Sequence, residues 1–172
     1  MRFLKSFRYA FRGIIYCINN ERNMRIHMVA AVYVLIFSAF FELSGEGYAV
    51  LFLTIAGVMT AEMFNTVAEE LCDLDAASFH PVVRIIKDMA AGAVLICALF
   101  SIAVGISLFW QPMKFAGILQ FFTAHLPLLI LLVLSIAASV VFIAVGPTRI
   151  RDYFHRKRNR QSLIDSMSNK GE

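Results

Sequence analysis

The chain has 172 residues, of which 59% are hydrophobic and only 16% charged, with a mean hydropathy of +0.71. Soluble domains carry about 25% charged residues, so a soluble domain is excluded and an all-α integral membrane protein is expected. The formal net charge is +4, and the distribution of that charge is more informative than its sum.

Residues 3–18, FLKSFRYAFRGIIYCI, place Phe3, Phe7, Ala10, Phe11, Ile14, Ile15 and Ile18 at helical spacing, with Lys5, Arg8 and Arg12 away from most of them. This pattern predicts an amphipathic helix lying in the headgroup plane, its cations toward anionic lipid. Residues 1–25 contain no short apolar core followed by a small-residue cleavage site, so the first apolar segment is expected to stay as an anchor.

A spanning helix needs about 20 apolar residues. Four candidates follow, at about residues 26–42, 48–71, 82–110 and 126–145, the last without any charge. Six Lys and Arg precede the first span, none lie in the connection FELSGEGY, two lie in 72–88, one in 110–125 and seven after Val145. Cationic segments stay cytoplasmic, so both termini and the 72–88 connection are expected inside and the other two connections outside. Residues 112–146 then form an outer connection plus an additional fourth span, and 147–172 a basic cytoplasmic tail. That tail, with RIRDYFHRKRNR, reads as a solvated flank and not as a nucleic-acid site. Cys17, Cys72 and Cys97 have no metal-ligand spacing and no pairing pattern, which predicts free buried thiols.

The stretch AEMFNTVAEELCDLD, residues 61–75, brings carboxylates to the edge of an uncharged run. At about 100° per residue, Glu62, Asn65, Glu69 and Asp73 fall on one helical stripe about 80° wide, with Thr66 beside it. Glu70 lies further round and Asp75 beyond the expected helix end, while Met63, Val67, Ala68 and Leu71 form an apolar opposite face. Solvation of a helix end, a polar contact between helices and a functional site all compete here. Glu62, about two turns deeper than Glu69, suits solvation poorly. Oxygens on one stripe suit a hard cation such as Mg²⁺, which takes few protein carboxylates and shares phosphate oxygens.

Lys87 and Asp88 stand at the start of the third span, ahead of the small residues Ala90, Ala91, Gly92 and Ala93. A lysine there is either an interfacial anchor or a point charge for phosphate. NNERNMRIH, residues 19–27, adds Glu21, Arg22, Arg25 and His27 before the first span, either as a charged flank or as a second carboxylate source. No Walker-type or protein-kinase glycine loop is present.

Over about residues 5–110 the chain resembles the small prokaryotic diacylglycerol kinases. The pattern Glu-x-x-Asn-[Ser/Thr]-x-x-Glu-x-x-x-Asp, then His, then Lys-Asp before small residues, is met at Glu62, Asn65, Thr66, Glu69, Asp73, His80, Lys87 and Asp88. The resemblance implies a surface helix plus three spans forming a kinase domain over residues 1–111, assembled as a homotrimer in the bacterial inner membrane. It implies transfer of the ATP γ-phosphoryl to a lipid hydroxyl. Glu62 matches the catalytic base and contacts the lipid together with Arg25. Glu21 and Glu69 match the Mg²⁺ ligands, and Glu21, Asn65, Glu69, Asp73, Lys87 and Asp88 match the ATP site. The segment RNMRIH is similar to the undecaprenol-kinase branch, with diacylglycerol as the alternative acceptor. A cation-conducting protein using the acidic stripe is the rival from another class; the position of Lys87 and Asp88 beside the acids argues against it.

Overall fold

The structure is a computed structural model that describes residues 2–74 and 81–148, with the Arg2 side chain excepted. Asp75, His80 and most of the basic tail lie outside the described residues. Within them every element is a helix: α1 Arg2–Asn20, α2 Arg22–Ser38, α3 Gly45–Leu74, α4 Pro81–Phe109, α5 Pro112–Ala124 and α6 Leu126–Val145.

α1 realises the amphipathic pattern. Phe3, Leu4, Phe7, Phe11 and Ile15 are more than half exposed, as an apolar face meant for lipid and not for a protein core would be. Among the described residues three helices, α3, α4 and α6, are long and apolar enough to cross a membrane. α3 has 30 residues and is therefore about 45 Å long. A hydrocarbon layer is about 30 Å thick, so one or both ends of α3 reach the headgroups. α2, the expected first span, has 17 residues and ends at Ser38 instead of near residue 42. The chain turns there, with Glu42 at a positive φ of 51°.

α3 and α4 form the most extensive helix pair; α2 lies against α3, and α6 against α2. Inside a span, polar side chains find partners on neighbouring helices. The Tyr33 hydroxyl accordingly lies 2.8 Å from Ser135 Oγ and 3.3 Å from Ser139 Oγ, joining α2 to α6. No residue of α4 or α6 is buried within the chain, so these helices present their apolar faces outward.

The connection expected at 110–125 is itself a helix. Pro112 starts α5, where its missing N–H costs nothing. Aromatic rings hold α5 in place: Phe121 and Phe122 lie 5.4 and 6.3 Å from Phe40, and Phe115 lies 5.4 Å from Phe41. Lys114 pairs with Glu42 at 2.8 Å. This aromatic end and the α1 end of the bundle are separated by the length of α2.

Candidate active site

Glu62 sits in α3 and is 1% exposed. A buried ionisable group in a span is costly unless it is partnered. Asn23, in the first turn of α2, brings its side chain within reach of the Glu62 carboxylate as a polar neighbour. One carboxylate oxygen, Glu62 Oε2, has no hydrogen-bond partner, and neither does the buried Asn65 Oδ1. The two unsatisfied oxygens lie one helical turn apart on the same stripe. Thr66, also buried, directs its hydroxyl to the Glu62 carbonyl at 3.0 Å and so closes on its own helix.

One turn further, Asn65 Nδ2 donates to Glu69 Oε1 at 2.9 Å. The stripe continues to Asp73, which forms an ion pair with Lys87 of α4. On the opposite face Phe64, Val67 and Leu71 are more than half exposed, so α3 separates a polar interior from a lipid-facing side.

Glu21 is brought to this stripe by the break between α1 and α2. It adopts an extended conformation at the N-cap position but makes no side-chain cap bond, leaving its carboxylate free. Burial pushes its carboxyl above the usual carboxylate range; the charges of Glu69, Glu62 and Glu70 push the same way and Arg25 opposes them. The negative charge of three α3 acids thus bears on Glu21, and a nearby cation would relieve it.

Asp88 lies apart, exposed and 3.9 Å from Arg84 in an i,i+4 pair. Arg25, expected at the lipid, is 6% exposed. Its Nε donates to the Ile143 carbonyl at 3.2 Å, and its Nη1 to the carbonyls of Ile18 and Asn19 at 3.1 and 3.2 Å. Two participants escaped the sequence reading. Asn23 is the polar neighbour of Glu62 described above. Tyr16 of α1 donates to Glu70 Oε1 at 2.6 Å, which raises the Tyr16 pKa, since the phenol is held by an acceptor that would repel its anion. Helical spacing within α1 or α2 carries no signal for either, because each depends on where α3 lies.

Among the described residues no group of three or more His, Cys, Asp or Glu is close enough to enclose a metal. Mg²⁺ does not require one: it takes one or two carboxylates and completes its shell with water and phosphate. The oxygen-only donor set and the unpartnered Asn65 Oδ1 fit such a cation. An apolar cleft of about 150 Å³ lies between α2, α3 and α4, lined in part by His27, Val34, Leu51, Val58 and Met59. Val58 and Met59 stand within about one helical turn of Glu62.

A helical membrane protein with a buried carboxylate that keeps one oxygen unpartnered, flanking acids and a cation on the next helix has the parts of an intramembrane enzyme. The sequence pattern of the prokaryotic diacylglycerol kinase family matches residues 8–109, and the chain belongs to that family: it is a membrane lipid kinase. It is 41% identical over 108 residues to the undecaprenol kinase of Bacillus subtilis, covering 63% of this chain and 88% of that one. It is 40% identical over 111 residues to a diacylglycerol kinase of a Synechocystis species, covering 64% of this chain and 63% of that protein. α5, α6 and the tail lie beyond the family match.

Proposed function

We propose that the chain transfers the γ-phosphoryl group of ATP to the hydroxyl of undecaprenol, with Glu62 as general base. The observation that carries this reading is the fully buried Glu62 with one oxygen free of any partner. An acid kept in that state within a span is best explained by a proton it must accept. The likeness to the Bacillus subtilis undecaprenol kinase favours the polyprenol. The Synechocystis relative favours diacylglycerol as the second reading.

In this mechanism the hydroxyl end of the lipid enters the apolar cleft beside Val58 and Met59, so that its hydroxyl reaches Glu62 while the rest of the tail stays in the bilayer. Asn23 stands beside the carboxylate, and the unpartnered Oε2 faces the hydroxyl. As the alcohol oxygen attacks the γ-phosphorus, its proton passes to Glu62. The bond from the γ-phosphorus to the bridging oxygen breaks and ADP leaves. Phosphoryl transfer depends chiefly on positioning and charge neutralisation. Glu21 and Glu69 would hold Mg²⁺, which when bound neutralises charge on the phosphate oxygens. Asn65 orients Glu69. Lys87, steered by Asp73, offsets phosphate charge as a point cation, with Asp88 beside it in sequence. Arg25 has its guanidinium engaged by backbone carbonyls and is not assigned to the lipid.

The proposed assembly is a homotrimer in the bacterial inner membrane with both termini cytoplasmic. The counts of six and seven cations at the two ends support the orientation. The unburied faces of α4 leave room for neighbouring subunits. The test is purified protein in micelles with labelled ATP, offered undecaprenol and diacylglycerol in parallel. Preferential labelling of undecaprenol is expected. Labelling of diacylglycerol alone would overturn the polyprenol assignment, and labelling of neither would overturn the function.

A further inference from the structure

Among the described residues, the extra helix α6 meets the kinase part of the chain at one charged side chain, the Arg25 guanidinium. Helix C-termini leave carbonyls without intrahelical donors and carry partial negative charge. Arg25 answers two such ends together. Its Nη1 bonds the Ile18 and Asn19 carbonyls at the end of α1, and its Nε bonds the Ile143 carbonyl at the end of α6. These are charge-assisted bonds, and the planar fork allows both ends to be held at once.

Gly146, the residue that follows α6, is shaped for this contact. It has φ 77° and ψ 156°, a region open essentially to glycine alone. A Cβ at this position would stand 3.2 Å from Arg25 Cζ and Nη1 and 3.5 Å from Nη2. The backbone thus requires glycine, and any side chain here would also press on the guanidinium and shift it. Further along the seam, Tyr33 reaches Ser135 and Ser139, which fixes the rotation of α6 against α2.

The clamp bears on Glu21. The α1 end that Arg25 holds is the turn just before Glu21, and Arg25 itself lies one turn after it. The Arg25 amide points back to the Glu21 carbonyl at 3.4 Å, and the Glu21 amide bonds the Cys17 carbonyl at 2.7 Å. The elbow carrying Glu21 thus has its two sides tied by one side chain, and α6 completes the coordination of that side chain.

We infer that Arg25 and Gly146 form a latch through which the fourth helix positions Glu21, making α6 a positioning element for the nucleotide-bound cation. This rests on the assignment of Glu21 to that cation. Arg25 is a positioning residue here and touches no reacting atom.

The test uses the full chain in micelles. The readouts are kcat, the KM for MgATP, the KM for lipid, and direct binding of MgADP by calorimetry. Gly146→Ala leaves every acid in place. It is expected to weaken MgADP binding and raise the KM for MgATP by roughly tenfold, the lower end for loss of an outer-sphere support of a metal site, with kcat and the lipid KM little changed. Arg25→Met should do the same, and the double variant should be no worse than the single ones, because residues acting as one unit are not additive. Tyr33→Phe, acting on the same seam from within the span, should give a smaller shift of the same kind and decides the matter if Gly146→Ala fails to insert. Glu21→Gln separates the two layers of the argument. If Glu21→Gln leaves MgADP binding intact, the cation assignment fails. If Glu21→Gln weakens it while Gly146→Ala and Tyr33→Phe do not, the latch is refuted. A defect of Arg25→Met confined to the lipid KM, additive with Gly146→Ala, would also refute it and return Arg25 to the substrate.

Discussion

The Asn65 side-chain amide donates a 2.9 Å hydrogen bond to the Glu69 carboxylate one helical turn away, while its own carbonyl oxygen is buried and unpartnered. Asn65 is thus half spent on fixing an acid and half available to a ligand. Replacing it with alanine removes both functions. Asn65→Ala is expected to raise the Mg²⁺ concentration needed for half-maximal activity by roughly tenfold, the scale on which supports of metal ligands act. A Mg²⁺ titration of the variant checks this; an unchanged midpoint would mean that the amide only satisfies the helix.

Lys87 forms an ion pair with Asp73 across the α3–α4 interface, so the cation is already directed toward the acidic stripe. Lys87→Met should leave insertion and helix content intact, because surface ion pairs contribute little to stability. It should lower kcat/KM for MgATP by roughly 10²-fold, comparable with loss of one donor to a developing oxyanion. Steady-state kinetics at saturating lipid would decide. Normal turnover would make Lys87 an interfacial anchor.

At the opposite end of the bundle, Glu42 has a lowered pKa because Lys114 hydrogen-bonds and attracts its carboxylate. A depressed folded-state pKa contributes stability above the unfolded value, about 4.3 for glutamate, and that stability is lost as pH falls through the lower folded value. Wild type should therefore be slightly more heat-stable than Lys114→Gln at neutral pH. The difference should close as the medium is acidified below about pH 4. Thermal melts of both proteins across that range test it; a gap that persists in acid would show that Lys114 acts through packing on α5.

Much of the fold and part of the site could be read from the chain, for definite reasons. The stripe of Glu62, Asn65, Glu69 and Asp73 follows from helical periodicity, and α3 spans all four without interruption. The hydropathy of the later spans left little choice of secondary structure. Other features depend on tertiary placement. α5 looks like a connection in sequence because PMKFAGILQFFTA is apolar almost all round and shows no amphipathic contrast. The end of α2 is hidden in sequence because Phe40 and Phe41 extend the apolar run, although they serve a turn that packs on α5. The approach of Asn23 to Glu62 needs α2 beside α3. The carbonyls that engage Arg25 come from positions 18, 19 and 143, and no local pattern announces the last of these.

In the proposed reaction Glu62 takes the proton of the lipid hydroxyl while Glu69, about 10 Å further along the helix, serves the nucleotide. The most direct measurement compares Glu62→Gln with Glu69→Gln in the same micelles, reading MgADP affinity and kcat for each. Glu62→Gln is expected to bind MgADP like wild type but to lose roughly 10²–10⁴ in kcat, the usual worth of a positioned base. Weakened MgADP binding is expected for Glu69→Gln, together with a greater need for Mg²⁺. Normal turnover by Glu62→Gln, or repair of its defect by excess Mg²⁺, would contradict the account and place Glu62 among the cation's ligands.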